Sequence, residues 1–251
     1  MKLQTLADVA SLIDHSLLHP TLSDTDVRNG CELSRKCAVA TACVKPYHIP
    51  LAREVLQGSK TLVCAVIGFP HGNSTTGIKV AEAESAALAG APEIDMVVNV
   101  GKVKSRDWDY VAREIRLINE VTTANGSLLK VIFENDYLQD DEIIALCEIS
   151  SAARVAFVKT STGYGFVKGS DGKYSYQGAT LDRLRLMRAH CPPEVQIKAA
   201  GGVRTFDDVL AVVDVGATRI GATTTTSILE EAARRGLTGP APEASTASPG
   251  Y

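Results

Sequence analysis

Strand-sized apolar runs alternate with helical patterns along nearly the whole chain, and this order of elements constrains the fold more than any other feature. The strand candidates are residues 11–18, 39–44, 61–67, 93–100, 128–134, 154–159, 195–199 and a run ending at 219–221. Helix boundaries between them carry their own signals. Ser23 with Asp26, and Thr205 with Asp208, have the spacing of a capping box, while Gly90 and Gly216 stand where helices stop. Trp108, Val111, Ala112, Ile115 and Ile118 follow one helical face with charges between them. Eight strand candidates, each leading into a helical stretch, is the count of a single-domain (β/α)8 TIM barrel, expected over residues 1–236. An open doubly wound sheet is the alternative. It is disfavoured because the first βα turn lacks Gly-x-Gly-x-x-Gly and no composition break halves the chain. Residues 237–251, rich in Pro, Ala, Ser and Gly, bury little and are expected to form a flexible tail.

Composition narrows the partners. With 26 basic and 29 acidic residues and a net charge of −3, the chain has no basic run that would track nucleic acid or an anionic membrane. The longest apolar runs are strand-sized, and the N-terminus lacks the apolar core of a signal peptide, so a cytoplasmic protein with a small diffusing partner is expected. Six cysteines form no Cys-x-x-Cys pair and most lie in apolar patterns, as buried reduced thiols do. Five histidines show no metal-ligand spacing, and neither a metal nor another cofactor is implied.

Lys159 follows Val155-Ala156-Phe157-Val158 and precedes Thr160-Ser161-Thr162-Gly163, which puts it where a buried strand leaves the core. An ammonium against an apolar wall is disfavoured unless it is paired or loses its proton, and the neutral amine is a nucleophile. A strand-end lysine that reaches out to water is the plainer reading. In a barrel the site forms at the C-terminal strand ends, so Asp14, Asp95, Lys159 and Lys198 should converge there. Two lysines in one apolar pocket repel, which drives one toward the imine-forming amine, and Asp95 balances the remaining charge and passes protons. A structural ion-pair cluster closing the barrel top is the competing account. Gly201 and Gly202 after strand seven, with Thr223 and Thr224 after strand eight at a helix start, form a second constellation suited to a phosphate. A helix N-cap with nothing bound explains the threonines equally. The Gly-rich connection 163–178 is either a lid or small hairpin over the site, or an inert surface excursion.

Six stretches in order resemble the 2-deoxyribose-5-phosphate aldolase family: Ile13-Asp14-His15-Ser16-Leu17-Leu18, Cys43-Val44-Lys45-Pro46, Val66-Ile67-Gly68-Phe69-Pro70-His71-Gly72, residues 93–101 around Asp95, Phe157-Val158-Lys159-Thr160-Ser161-Thr162-Gly163, and Lys198-Ala199-Ala200-Gly201-Gly202-Val203-Arg204-Thr205. The resemblance implies a metal-free class I aldolase that interconverts 2-deoxy-D-ribose 5-phosphate with acetaldehyde and D-glyceraldehyde 3-phosphate in deoxynucleoside catabolism. It makes Lys159 the Schiff-base lysine, Lys198 the neighbour that lowers its pKa and Asp95 the proton-relay carboxylate, supported by Asp14. The imine is expected to act as electron sink for breaking the C3–C4 bond. Ser16, Thr160, Gly163, Gly201, Gly202, Thr223 and Thr224 are the expected substrate and phosphate contacts, and a homodimer is the assembly implied. Ser16 stands where the family usually has Thr, Lys45 where Asn is frequent, and Tyr164 where some members place a lysine; the 163–178 connection is longer than in compact members. Two further expectations are that Tyr251 folds back as a closing or proton-shuttling residue, and that Cys43 is exposed enough to be alkylated by unsaturated aldehydes. A related imine-forming aldolase for another phosphorylated aldehyde or ketone is the second reading. A non-catalytic sugar-phosphate sensor is the third, and it has no need of Lys159, Lys198 and Asp95 together.

Overall fold

The computed structural model describes residues 2–239. Eight parallel strands close into a barrel: β1 (Ile13–Leu17), β2 (Thr41–Val44), β3 (Leu62–Ile67), β4 (Glu93–Val97), β5 (Leu128–Ile132), β6 (Phe157–Lys159), β9 (Gln196–Ala200) and β10 (Arg219–Ala222). Two short strands outside it, β7 (Val167–Lys168) and β8 (Tyr174–Ser175), pair antiparallel within the 163–178 connection, which is thus a small hairpin. Helix α1 (Leu6–Ala10) precedes the barrel. The others follow the strands: α2 (Asp24–Lys36), α3 (Ile49–Leu56), α4 (Thr76–Leu88), α5 (Val100–Lys104), α6 (Trp108–Ala124), α7 (Asp140–Ala152), α8 (Leu181–His190), α9 (Phe206–Asp214) and α10 (Thr225–Arg234).

Local chemistry sets the helix ends as the sequence suggested. Ser23 and Thr205 each complete a capping box with the acidic residue three positions on. Helix α6 buries Val111, Ile115 and Ile118 on one face, each fully buried aliphatic side chain stabilising the fold by about 1.5–3 kcal/mol. Strand four is shorter than expected because Asn99 accepts a bond from the Lys102 N–H and opens the short α5. Strand five stops at Ile132, and Glu134 adopts a left-handed backbone with φ +60°. Leu237 and Thr238 are not free as expected of a tail: Leu237 packs on the core, and Thr238 bridges to Thr5 and accepts from Leu6 N–H at 2.9 Å.

A buried ion pair outside the barrel holds the end of β4. Lys79 on α4 and Glu114 on α6 lie 3.0 Å apart with no exposure. Lys79 donates to the Val97 carbonyl, and Glu114 accepts from the Asn99 N–H. Both atoms lie just past Asp95, so the pair fixes the strand that carries the central carboxylate of the site.

Candidate active site

Alternation along the strands sends one side chain in two into the barrel, and here the interior is charged rather than filled by aliphatic layers. Asp95 on β4 is its hub. Its Oδ2 accepts from Lys159 Nζ and from Lys198 Nζ, both at 2.8 Å, and its Oδ1 accepts from Lys130 Nζ at 2.7 Å. Lys159 and Lys198 sit side by side because β6 pairs directly with β9 and their Cα atoms are in register. Below them Asp14 pairs with Lys198 and, through Oδ1, with Arg219 at 2.7 Å. Glu93 contacts Lys130 at 2.7 Å and Arg219 at 3.0 Å.

Lys130, Glu93 and Arg219 were not among the residues expected from sequence. The signal that singled out Asp95, a charged residue within an apolar strand, is present in Leu128-Leu129-Lys130-Val131-Ile132 as well. The cluster sets Asp14, Glu93 and Asp95 against Lys130, Lys159, Lys198 and Arg219. Burial opposes the charged form of Asp95, but the surrounding lysines, Lys130 foremost, outweigh it and hold the carboxyl well below its usual range. Burial likewise opposes the ammonium of Lys198, and Asp14 and Asp95 outweigh it, so its pKa lies above the ordinary lysine value.

Among the described residues, two trios bring metal-ligand atoms within 4.8 Å of one another: Cys43, Cys64 and Asp95, and Asp14, Cys64 and Glu93. Lys130 Nζ lies 3.2 Å from Cys64 Sγ and 2.7 Å from both Asp95 and Glu93. An ammonium therefore stands where a cation would have to sit, and its charge opposes one.

Other expected residues fall into distinct places. Ser16 lies two residues beyond Asp14 on the same face of β1, half-buried and nearer the mouth. Thr160 does not offer its hydroxyl to a ligand as expected: Oγ1 donates to the Ala200 carbonyl at 2.9 Å and accepts from the Ala200 N–H at 3.0 Å, tying β6 to β9. Cys43 is not exposed; it is 2% accessible, with Sγ 3.5 Å from Cys64 Sγ. Tyr251 lies outside the described residues.

The phosphate candidates gather on one arc. Gly163 follows β6, Gly201 and Gly202 follow β9, and Thr223 follows β10, and these three strands are consecutive in the barrel. Gly201 and Gly202 have φ of +87° and +88°, a backbone that favours glycine. The threonines divide their tasks: Thr223 is exposed, Thr224 donates to the Arg204 carbonyl, and Thr225 is buried with Oγ1 2.8 Å from His15 Nδ1. The side chain of Thr224, at the N-cap of α10, makes no capping bond to the first-turn N–H groups of that helix. The hairpin is anchored at its base: Asp136 accepts from the Gln177 and Gly178 N–H groups, and Ala179 N–H donates to the Gly201 carbonyl. Glu134 accepts from the Thr162 backbone and hydroxyl, which pins the loop after Lys159.

The family model of the DeoC/LacD aldolases matches residues 9–238. The chain belongs to the DeoC/LacD aldolase family. Deoxyribose-phosphate aldolase of Rhodopirellula baltica is 48% identical to this aldolase over 245 residues, 97% of each chain. That of Thermococcus gammatolerans is 41% identical, covering 90% of this chain and 96% of the relative. The tetrameric deoxyribose phosphate aldolase of Aeropyrum pernix superposes with a TM-score of 0.81 at 28% identity, over 93% of this chain and 94% of that one. The aldolase thus shares both the sequence family and the barrel of its relatives.

Proposed function

We propose that the chain catalyses the reversible cleavage of 2-deoxy-D-ribose 5-phosphate to D-glyceraldehyde 3-phosphate and acetaldehyde, in deoxyribonucleotide catabolism, through an imine on Lys159. The single observation that carries the chemistry is Lys159 Nζ held 2.8 Å from the Asp95 carboxylate, which also binds Lys198. Three carboxylates face four basic side chains, so the buried cluster is electrically balanced when one of them is a free amine. Arg219 stays charged, and Lys130 and Lys198 are held protonated by the carboxylates around them. Lys130 contacts three carboxylates and Lys198 two, whereas Lys159 contacts one, Asp95.

Its amine attacks the C1 aldehyde of the open-chain sugar, and loss of water leaves a protonated imine. The bond that breaks is C2–C3 rather than C3–C4, because acetaldehyde takes away C1 and C2. The C3 hydroxyl loses its proton to a base while the C2–C3 electron pair flows into the imine. Glyceraldehyde 3-phosphate leaves, and an enamine stays on Lys159. Protonation at C2 and hydrolysis by water release acetaldehyde and return the amine. Asp95, ionised and bonded to Lys198, supplies the proton path. Gly163, Gly201, Gly202, Thr223 and the first turn of α10 take the phosphate, with Ser16 facing the bound sugar.

Borohydride reduction with acetaldehyde or deoxyribose 5-phosphate, followed by peptide mass analysis, tests this. The expected adduct is on Lys159 and disappears in Lys159→Ala; no adduct on any lysine would overturn the imine. A homodimer is the proposed assembly, with the exposed Tyr47, Ile78 and Leu88 supplying apolar surface, and light scattering on the eluted protein measures it. No helix among the described residues is long and apolar enough to cross a membrane. The six unpaired cysteines, one of them at 191, support a reducing compartment such as the cytoplasm.

A further inference from the structure

The wall of the site formed by β2 and β3 carries two thiols that the lysine chemistry does not use. Cys43 and Cys64 are opposite each other in register on neighbouring parallel strands, with Sγ atoms 3.5 Å apart. Cys64 is wired into the centre: its thiol donates to Asp95 Oδ1 at 3.2 Å and its sulfur accepts from Lys130 Nζ at 3.2 Å. Leu18 and Val66 pack beside the pair, and Phe69 and Tyr164 pack against this small cluster with their rings edge to face. Cys64 lies two residues before Val66, the register partner of Asp95, so the thiols border the Asp95 centre from the side of β2 and β3.

We propose that Cys43 and Cys64 are a modification site: a dithiol that a hydroperoxide oxidises to a disulfide, reversibly silencing the Asp95 centre. The geometry suits this. Neighbouring strands lie about 4.7–4.9 Å apart, within the Cα separation of about 4.4–6.8 Å that disulfides span. The strands stay in place while rotation about the side-chain bonds closes the sulfurs to about 2 Å. Size permits the oxidant to arrive. Hydrogen peroxide has two heavy atoms, fewer than the aldehyde that must reach Lys159, itself only 3% exposed.

The thiolate of Cys43 attacks one peroxide oxygen, the O–O bond breaks, and the departing hydroxide takes up the thiol proton as water, leaving a sulfenic acid. The Cys64 sulfur then attacks the Cys43 sulfur. The S–O bond breaks, and hydroxide leaves as water with the Cys64 proton. Two thiols and one peroxide give one disulfide and two waters, with two electrons passing from sulfur to oxygen. The hydrogen bond with Cys64 draws the Cys43 thiol below its ordinary range despite burial, with Lys198 adding to the pull, whereas burial pushes Cys64 up; this favours Cys43 as the first sulfur to react.

A disulfide sulfur carries no proton, so Asp95 Oδ1 loses the Cys64 donor, and Lys130 loses its sulfur in place. Displacements near 1 Å around reacting groups lower turnover by up to about a hundredfold. In a reducing compartment such a bond is transient, as sensing disulfides are. The thiol chemistry stands on its own; only its effect on turnover rests on the aldolase reading.

The test uses the full chain, treated with graded hydrogen peroxide, quenched with catalase, denatured in N-ethylmaleimide and digested for mass analysis. The expected product is a linked pair of peptides carrying Cys43 and Cys64, two hydrogens lighter than their sum. It should accumulate in step with a tenfold or greater loss of aldolase activity, and dithiothreitol should reverse both. In Cys64→Ala, peroxide should instead drive Cys43 to acids that dithiothreitol does not reduce. Cys147 and Cys191, hydrogen-bonded to each other away from the lysine cluster, form an internal comparison. A link only between those two, activity loss without a Cys43–Cys64 link, or a Cys43–Cys64 link with undiminished turnover would each overturn the proposal. A chain inactive on deoxyribose 5-phosphate before any oxidation would count against the aldolase reading instead, and the mass result would still decide whether the dithiol forms.

Discussion

His15 makes stability fall as the pH drops from 7 to 5. It is buried on the outer face of β1, its Nδ1 2.8 Å from Thr225 Oγ1, and burial lowers its pKa from the ordinary 6.5 to about 4. The unfolded chain takes up a proton below 6.5, whereas the folded chain resists protonation until about 4. The unfolded state therefore binds more protons throughout that window, so stability rises with pH there and declines on acidification. Evaluating both states at pH 7 and pH 5 gives a loss of about 2 kcal/mol from this one group. For a chain of this length that is a fall in Tm of roughly 4–8 °C. Asp14 and Asp95, whose carboxyls are held below their ordinary 3.8, lose their contribution only below that value, outside the window. The assay is chemical denaturation at both pH values for the parent and for His15→Asn, which keeps a polar atom near Thr225 and cannot titrate. The parent should lose about 2 kcal/mol more than the variant. Equal losses in the two proteins would refute the argument.

Lys130→Met removes the ammonium shared by Asp95 and Glu93 and strands buried carboxylates, so it should cost about 3–5 kcal/mol in denaturation and depress turnover. Thr160→Val breaks the tie to Ala200 and should cost about 1–2 kcal/mol, while KM for the phosphorylated substrate stays unchanged because that hydroxyl is already committed; a raised KM would return Thr160 to the binding site. At Gly178, with φ +69°, an added Cβ would lie 2.4 Å from the Gly201 carbonyl oxygen. Gly178→Ala should accordingly displace the glycine loop and raise KM for deoxyribose 5-phosphate more than for unphosphorylated deoxyribose, a ratio that steady-state kinetics reads directly.

Barrel architecture was legible because strands and helices write their periods into sequence, and capping residues such as Ser23 and Thr205 act on neighbours three positions away. Helix α8 leaves a weak periodic signal, since only Leu184 and Met187 of its ten residues are buried and Asp182, Arg183, Arg185 and Arg188 are charged. Lys159, Lys198 and Asp95 stood out as charges in or beside apolar strands, and the resemblance to an aldolase family named their roles. Lys130 bears the same mark within β5.

Local interactions thus determined where each element begins and which residues carry charge into an apolar setting, and they did so from the sequence alone. Tertiary structure decided what those charges meet. That Asp95 binds three lysines, that Thr160 is spent on Ala200, and that Cys43 lies against Cys64 depends on strands far apart in the chain being closed into register. The physical reason is range: helix caps and side-chain alternation act within a few residues, whereas pairing in a buried cluster depends on distances and desolvation that exist only once the barrel has closed.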